Sequence, residues 1–81
     1  MTRIWITELP EGGLYDVVNW CEEQFGPCSW GWVEAREQKN WSYTWEGWSS
    51  QKRWVVDICP AHWVTLFALR WSANISRTEL R

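Results

Sequence analysis

Apolar residues recur at every second position in two stretches of the chain, and a period of two predicts β-strands. In residues 2–8 the two isoleucines alternate with other side chains, and in residues 53–58 Trp54, Val56 and Ile58 do the same. Each stretch therefore has one face suited to a protein core.

Two other stretches repeat apolar residues at the spacing of an α-helix. The first stripe comprises Leu14, Val17, Val18, Cys21 and Phe25. It ends at Gly26, which we expect in the left-handed conformation, and at Pro27, which cannot continue a helix. The second stripe follows Pro60, a residue suited to a first helical turn, and comprises Val64, Phe67, Ala68 and Trp71.

The second helix carries more apolar surface than one stripe requires. Beside that stripe it has Trp63, Leu66 and Leu69, so we expect it to be covered on two sides. Residues 64–71 also alternate, which leaves a strand as the alternative. Leucine, alanine and arginine favour the helix, and we predict one.

Three further segments complete the predicted fold. Residues 30–34 and 41–45 alternate large aromatic with smaller residues and predict strands. Residues 75–81 have little to bury and form either a short edge strand or a disordered tail. The chain is therefore expected to be one α+β domain, residues 1–74, followed by the tail. Its predicted order is β-α-β-β-β-α, a mainly antiparallel four-stranded sheet with two helices on one face, ferredoxin-like with an incomplete last strand.

Ten tryptophans in 81 residues exceed what so small a core can bury, because each ring carries on the order of 200 Å². Several must therefore lie at the surface, at a subunit interface or in a ligand groove. The net charge of −2 disfavours a general binder of nucleic acids or anionic membranes, although residues 35–81 hold seven of the eight basic residues.

The first residues contain no apolar run of a secretion signal, and no stretch approaches the roughly 20 apolar residues of a membrane span. We therefore expect a cytoplasmic protein with reduced thiols and no membrane contact. The one set of residues that could hold zinc is Cys21, Cys28, Cys59 and His62. Their spacing is irregular and the first lies in a helix stripe, so we expect packed thiols, no metal and no cofactor.

Catalytic signatures are not evident. Cys59 and His62 could form a nucleophile pair, but the nearest orienting acid, Asp57, is better placed to favour the start of the second helix. We therefore predict that the protein is not an enzyme.

The main candidate for binding is the aromatic cluster Trp41, Tyr43, Trp45 and Trp48. Exposed rings could contact a protein, bind a sugar, or stack on bases with Lys39, Lys52 and Arg53 nearby. The strand rings could also lie in the core beneath the second helix.

Two segments carry a resemblance: WCEEQFGP at residues 20–27 and LFALRW at residues 66–71. Together they resemble small uncharacterised proteins of bacteriophages and marine metagenomes. The resemblance implies a small α+β fold in the cytoplasm of a host cell, and no particular activity. Residues 30–51 match no motif.

These observations favour a non-enzymatic interaction protein, encoded by a phage, whose partner is a second copy of itself or a host protein. We expect Trp63 at the contact, with Leu66 and Arg70 beside it, and the aromatic cluster is the other candidate surface. The alternative is a single-stranded nucleic-acid binder that uses the basic, tryptophan-rich half. A small enzyme or a zinc-stabilised module is the third interpretation.

Overall fold

Four strands and two helices follow one another in the order β-α-β-β-α-β within residues 1–28, 40–47 and 53–80, which the computed structural model describes. The elements are β1 (Thr2–Ile6), α1 (Leu14–Phe25), β2 (Trp41–Glu46), β3 (Arg53–Ile58), α2 (Ala61–Trp71) and β4 (Ile75–Leu80). A 3₁₀ turn, Ser72–Asn74, joins α2 to β4. The α+β class and the helical state of residues 64–71 are confirmed, and the predicted strand 30–34 lies outside the described residues.

The strands form one antiparallel sheet in the order β2-β3-β1-β4. In the centre of the sheet, Thr2 of β1 lies opposite Ile58 of β3 on one side and opposite Leu80 of β4 on the other. The pairing of β1 with β4 shifts register after Trp5. Residues 75–80 therefore form an edge strand, which confirms one of the two states expected for the tail and adds a final strand to the expected order. Its few apolar residues left a disordered tail as the alternative, because the backbone of such a strand pairs with β1 whether or not its side chains are buried.

Both helices lie on one face of the sheet because each has one apolar stripe. The buried helical residues are Val17, Val18, Cys21, Phe25, Phe67 and Trp71. They pack against five sheet residues, Ile4, Ile6, Trp41, Val56 and Ile58. The strand register places these five on the same face, so the predicted stripes and alternation are confirmed.

Trp20 connects the two helices through edge-to-face ring contacts. Its ring lies 5.5 Å from that of Phe25 on α1, and 6.1 and 6.2 Å from those of Phe67 and Trp71 on α2. Perpendicular pairs of this kind contribute about 0.5–1.5 kcal/mol each beyond area burial. The two helices are thus held together by a mainly aromatic contact.

Glycines with positive φ flank α1 on both sides. Gly13 has φ 72° and ψ −159°, and Gly26 has φ 85° and ψ −170°. The positive φ of Gly26 is as expected, but its ψ is extended rather than left-handed, because Pro27 restricts the preceding residue to extended ψ values. The Gly26 carbonyl accepts a 2.8 Å hydrogen bond from Nε1 of Trp41, which ties the end of α1 to β2.

Asp57 does not serve the start of α2, contrary to the sequence expectation. Its carboxylate accepts hydrogen bonds from Nε and Nη2 of Arg3, at 2.8 and 3.0 Å. The two residues lie directly opposite each other on β1 and β3. Alternation along β3 turns Asp57 away from the helices, so the ion pair links the two central strands on the other face of the sheet.

Candidate functional site

α2 presents apolar side chains to solvent. Leu66 is 45% exposed and Leu69 is 76% exposed, and residues three apart lie on the same side of a helix. Arg70 is also exposed, and its guanidinium carbon lies 4.0 Å from the centroid of the Trp71 ring. We call Leu66, Leu69 and Arg70 the α2 surface.

Trp63 is less available to a partner than the sequence suggests. It is half-buried, and its ring stacks on that of Phe25 with centroids 4.6 Å and planes 17° apart. The ring therefore stabilises the packing of α2 on α1. One side of α2 packs against the sheet. The side that carries Trp63, Leu66 and Leu69 is only partly covered, because Trp63 packs on α1 while the two leucines remain exposed.

The aromatic cluster of β2 divides between core and surface. Trp41 is fully buried and cannot contact a partner in this structure. Tyr43 is half-buried, with its ring 6.0 Å from that of Trp41 and nearly parallel to it. Trp45 is 50% exposed, and Trp48 lies outside the described residues. The core alternative therefore applies to Trp41, and a surface role is open to Trp45.

A cleft of about 450 Å³ opens between α1 and the sheet. It is lined by Leu9, Leu14, Tyr15, Val18, Tyr43 and Trp54. We call it the aromatic cleft, because half of its lining residues are tyrosine or tryptophan and the remainder are aliphatic. Its volume lies within the roughly 300–1,000 Å³ range of small-molecule sites.

The walls of the aromatic cleft follow from local structure. Leu14 and Val18 are four residues apart on α1 and therefore share one side of the helix. Tyr43 lies opposite Val56 of β3, two residues along the strand from Trp54, so both cleft residues of the sheet point to the helical face.

Asn74 holds the segment between β1 and α1, which contains the cleft residue Leu9. The backbone carbonyl of Asn74 accepts a 3.2 Å hydrogen bond from the Thr7 amide. Its side-chain amide donates a 2.5 Å hydrogen bond to the Glu8 carbonyl. The segment between β1 and α1 is therefore anchored at the residue before Leu9.

The α1 side of the aromatic cleft is acidic. Residues 8–28 contain five carboxylates and no lysine, arginine or histidine. Burial raises the pKa of the Tyr43 hydroxyl, and the Cys28 thiol and the Glu22 carboxylate raise it further, followed by the Tyr15 hydroxyl. The carboxylates on this side of the cleft favour cations over anions.

The sheet face opposite the helices does not form a basic aromatic platform within the described residues. Trp5 is 5% exposed, its Nε1 donates a 2.7 Å hydrogen bond to Oε1 of Glu46, and the guanidinium of Arg77 lies 4.6 Å from its ring. Arginines and carboxylates are equal in number on this face: Arg3, Arg53, Arg77, Glu46, Asp57 and Glu79. Stacking of nucleic-acid bases needs exposed rings in a groove with excess positive charge.

The residues considered as metal ligands occupy different environments. Cys21 and Cys28 are buried, Cys59 is half-buried after β3, and His62 is exposed on α2. Across residues 1–28, 40–47 and 53–80, no three His, Cys, Asp or Glu side chains gather into a group that could hold a metal ion. Burial, with a smaller contribution from Glu22, raises the pKa of the Cys21 thiol to about 12, so this thiol is a poor ligand and nucleophile.

Comparison with known proteins yields no relative. No family model, no curated protein and no solved structure matches the chain. Within the described part of the chain, neither helix is long and apolar enough to cross a membrane. The class defined by fold and surface is thus a small α+β protein with an exposed apolar helix side and a separate aromatic cleft.

The aromatic cleft is the feature that the sequence pattern does not indicate. Leu14 and Val18 fit the core stripe of a helix, and Trp54 fits the core face of a strand. The available signal is Tyr15, an aromatic residue beside that stripe, 78% exposed in the structure. Its proximity to Tyr43 depends on where β2 lies beneath α1, which no local pattern determines.

Proposed function

We propose that the protein is a non-enzymatic interaction protein that pairs with a second copy of itself through the α2 surface. The observation that supports this is the exposure of Leu66 and Leu69 on a helix whose opposite side is already buried against the sheet. Adjacent apolar side chains on an exposed helix side are a common feature of contact surfaces. Cyclic dimers are the commonest assemblies of small proteins.

The charges of the helical layer favour a second copy as the partner. α1 carries three carboxylates, those of Asp16, Glu22 and Glu23, and no basic residue, whereas α2 carries Arg70 and no acid. A two-fold axis through the helical layer would set α2 of each copy beside α1 of the other. Arg70 would then meet carboxylates across the interface while the leucines become buried.

The biological setting is part of the same proposal. We infer an accessory protein encoded by a phage and acting in the cytoplasm of the host cell. The resemblance of residues 20–27 and 66–71 supports the phage origin. The free thiols of Cys21, Cys28 and Cys59 are compatible with a reducing compartment.

Light scattering at high micromolar concentration tests the pairing. The wild-type protein should have the mass of a dimer, and Leu69→Glu should be a monomer with an unchanged circular dichroism spectrum. A charge is tolerated where a side chain is exposed, as Leu69 is in one copy, but is costly in the buried core of an interface. Thr44→Glu is the matched control, because it adds the same charge at an exposed position on the other face of the sheet.

Two results would contradict the proposal. A wild-type monomer at high micromolar concentration would exclude self-pairing and leave a host protein as the partner to be sought. A Leu69→Glu variant that remains a dimer would exclude the α2 surface as the contact.

A further inference from the structure

We propose that the aromatic cleft binds an organic cation whose charge is surrounded by apolar groups, such as a quaternary ammonium or an N-methylated amine. The cleft shares no residue with the α2 surface. This is therefore a second site, and it does not depend on the proposed self-pairing.

The lining of the cleft selects for the ligand class. Tyr15, Tyr43 and Trp54 supply aromatic rings, whose faces attract cations, and tryptophan is the strongest of the three aromatic types. The other lining residues are aliphatic and cannot replace the water around a strongly hydrated ion such as ammonium or sodium. A weakly hydrated cation with methyl groups can enter such a lining without that loss.

Charge supports the same ligand class. Asp16 follows Tyr15 on α1, and its carboxylate accepts a 3.1 Å hydrogen bond from the Gly12 amide, which holds it at this end of the helix. Glu22, one turn beyond Val18, acts electrostatically on the Tyr43 hydroxyl within the cleft. A cation with apolar substituents satisfies both the aromatic lining and this negative field, whereas a neutral apolar ligand satisfies only the first.

The volume of the cleft indicates a ligand larger than a methylated nitrogen alone. About 450 Å³ exceeds what a bare trimethylammonium group fills. We therefore expect one further apolar substituent on the ligand, packed against Leu9, Leu14 and Val18.

Binding of three probes to the isotopically labelled protein tests the inference by nuclear magnetic resonance. The probes are benzyltrimethylammonium, choline and 3,3-dimethylbutan-1-ol, which is the neutral carbon isostere of choline. We expect benzyltrimethylammonium to bind most tightly, and choline to bind about tenfold more tightly than its isostere, in line with desolvated cation–π contacts. The shifted resonances should be those of the residues lining the cleft.

Variants separate the cleft from other surfaces. Tyr15→Leu removes a ring that is 78% exposed, so the fold should be retained while cation binding weakens several-fold. Trp54→Leu should weaken it further. Leu69→Glu alters only the α2 surface, outside the cleft, and should bind the cation as the wild type does.

A fourth probe identifies the source of the cation. A short peptide with one trimethyl-lysine, binding more tightly than benzyltrimethylammonium, would identify a modified protein side chain as the natural ligand, and the reverse order would identify a small molecule. The inference is overturned if choline and its isostere bind equally, if no cation binds at millimolar concentration, or if neither Tyr15→Leu nor Trp54→Leu weakens binding.

Discussion

The thiol of Cys21 is fully enclosed, at the point where α1 meets the aromatic core. Burial raises its pKa to about 12, from 9.0 for an exposed thiol, and Glu22 contributes in the same direction. A thiolate therefore forms far less readily in the folded chain than in the unfolded chain. This one residue gives the stability of the protein a dependence on alkaline pH.

We expect the free energy of unfolding to fall as the pH rises from about 9 to about 12, by up to roughly 4 kcal/mol. The folded pKa lies above the unfolded one, so the stabilisation is fully present below pH 9 and is lost as pH approaches the folded value. Urea unfolding at a series of pH values measures this change. Cys21→Ala should be less stable at neutral pH but should show a shallower decline above pH 9, and equal slopes would refute the assignment.

At the scale of elements, local pattern was sufficient for α1, β1 and β3. α1 has both a regular stripe and a strong terminator in Gly26 and Pro27. β4 lacks such a signal, because most of its side chains are exposed and its backbone pairing with β1 defines it. The Arg3–Asp57 pair and the aromatic cleft could not be predicted from local pattern either. The ion pair depends on which strands become neighbours, and the cleft depends on where β2 lies beneath α1.

The conformation of Gly26 leads to a prediction about the end of α1. Its φ of 85° and ψ of −170° fall in a region that is essentially restricted to glycine. Gly26→Ala should therefore destabilise the fold by about 1–3 kcal/mol, measured by urea unfolding, although a Cβ there would meet no other atom within 4 Å. Gln24→Ala, an exposed position within the helix, is the control and should change stability by less than about 0.5 kcal/mol. If both variants were equally stable, backbone strain would not account for this glycine.

At the scale of the whole molecule, charge is unevenly arranged among the described residues. The sheet face opposite the helices balances its arginines with carboxylates, and α1 carries acids without bases. Of the seven basic residues in 35–81, the structure describes Arg53, Arg70 and Arg77, and these are divided between that sheet face and α2. Among the described residues, this distribution supports the proposed pairing of two copies more than contact with a polyanion.

We expect no binding of short single-stranded oligonucleotides tighter than about 10 μM at physiological salt, because affinity for nucleic acid depends on neutralising several phosphates with basic side chains. Fluorescence anisotropy of a labelled oligonucleotide measures this. Tighter binding that weakens strongly with added salt would instead support the nucleic-acid alternative. A comparison of the wild-type protein with Leu69→Glu would then show whether the binding site depends on pairing.

The position of β1 in the sheet has a consequence for biosynthesis. This central strand is hydrogen-bonded on its two sides to β3 and β4, both of which lie in the second half of the chain. A ribosome delivers Thr2–Ile6 before either partner strand, so the isoleucines of β1 have no strand partner until residues 53–58 have emerged. Such distant pairings also slow folding relative to helical bundles. We therefore expect the nascent chain to expose β1 during this interval, when molecular chaperones can bind it.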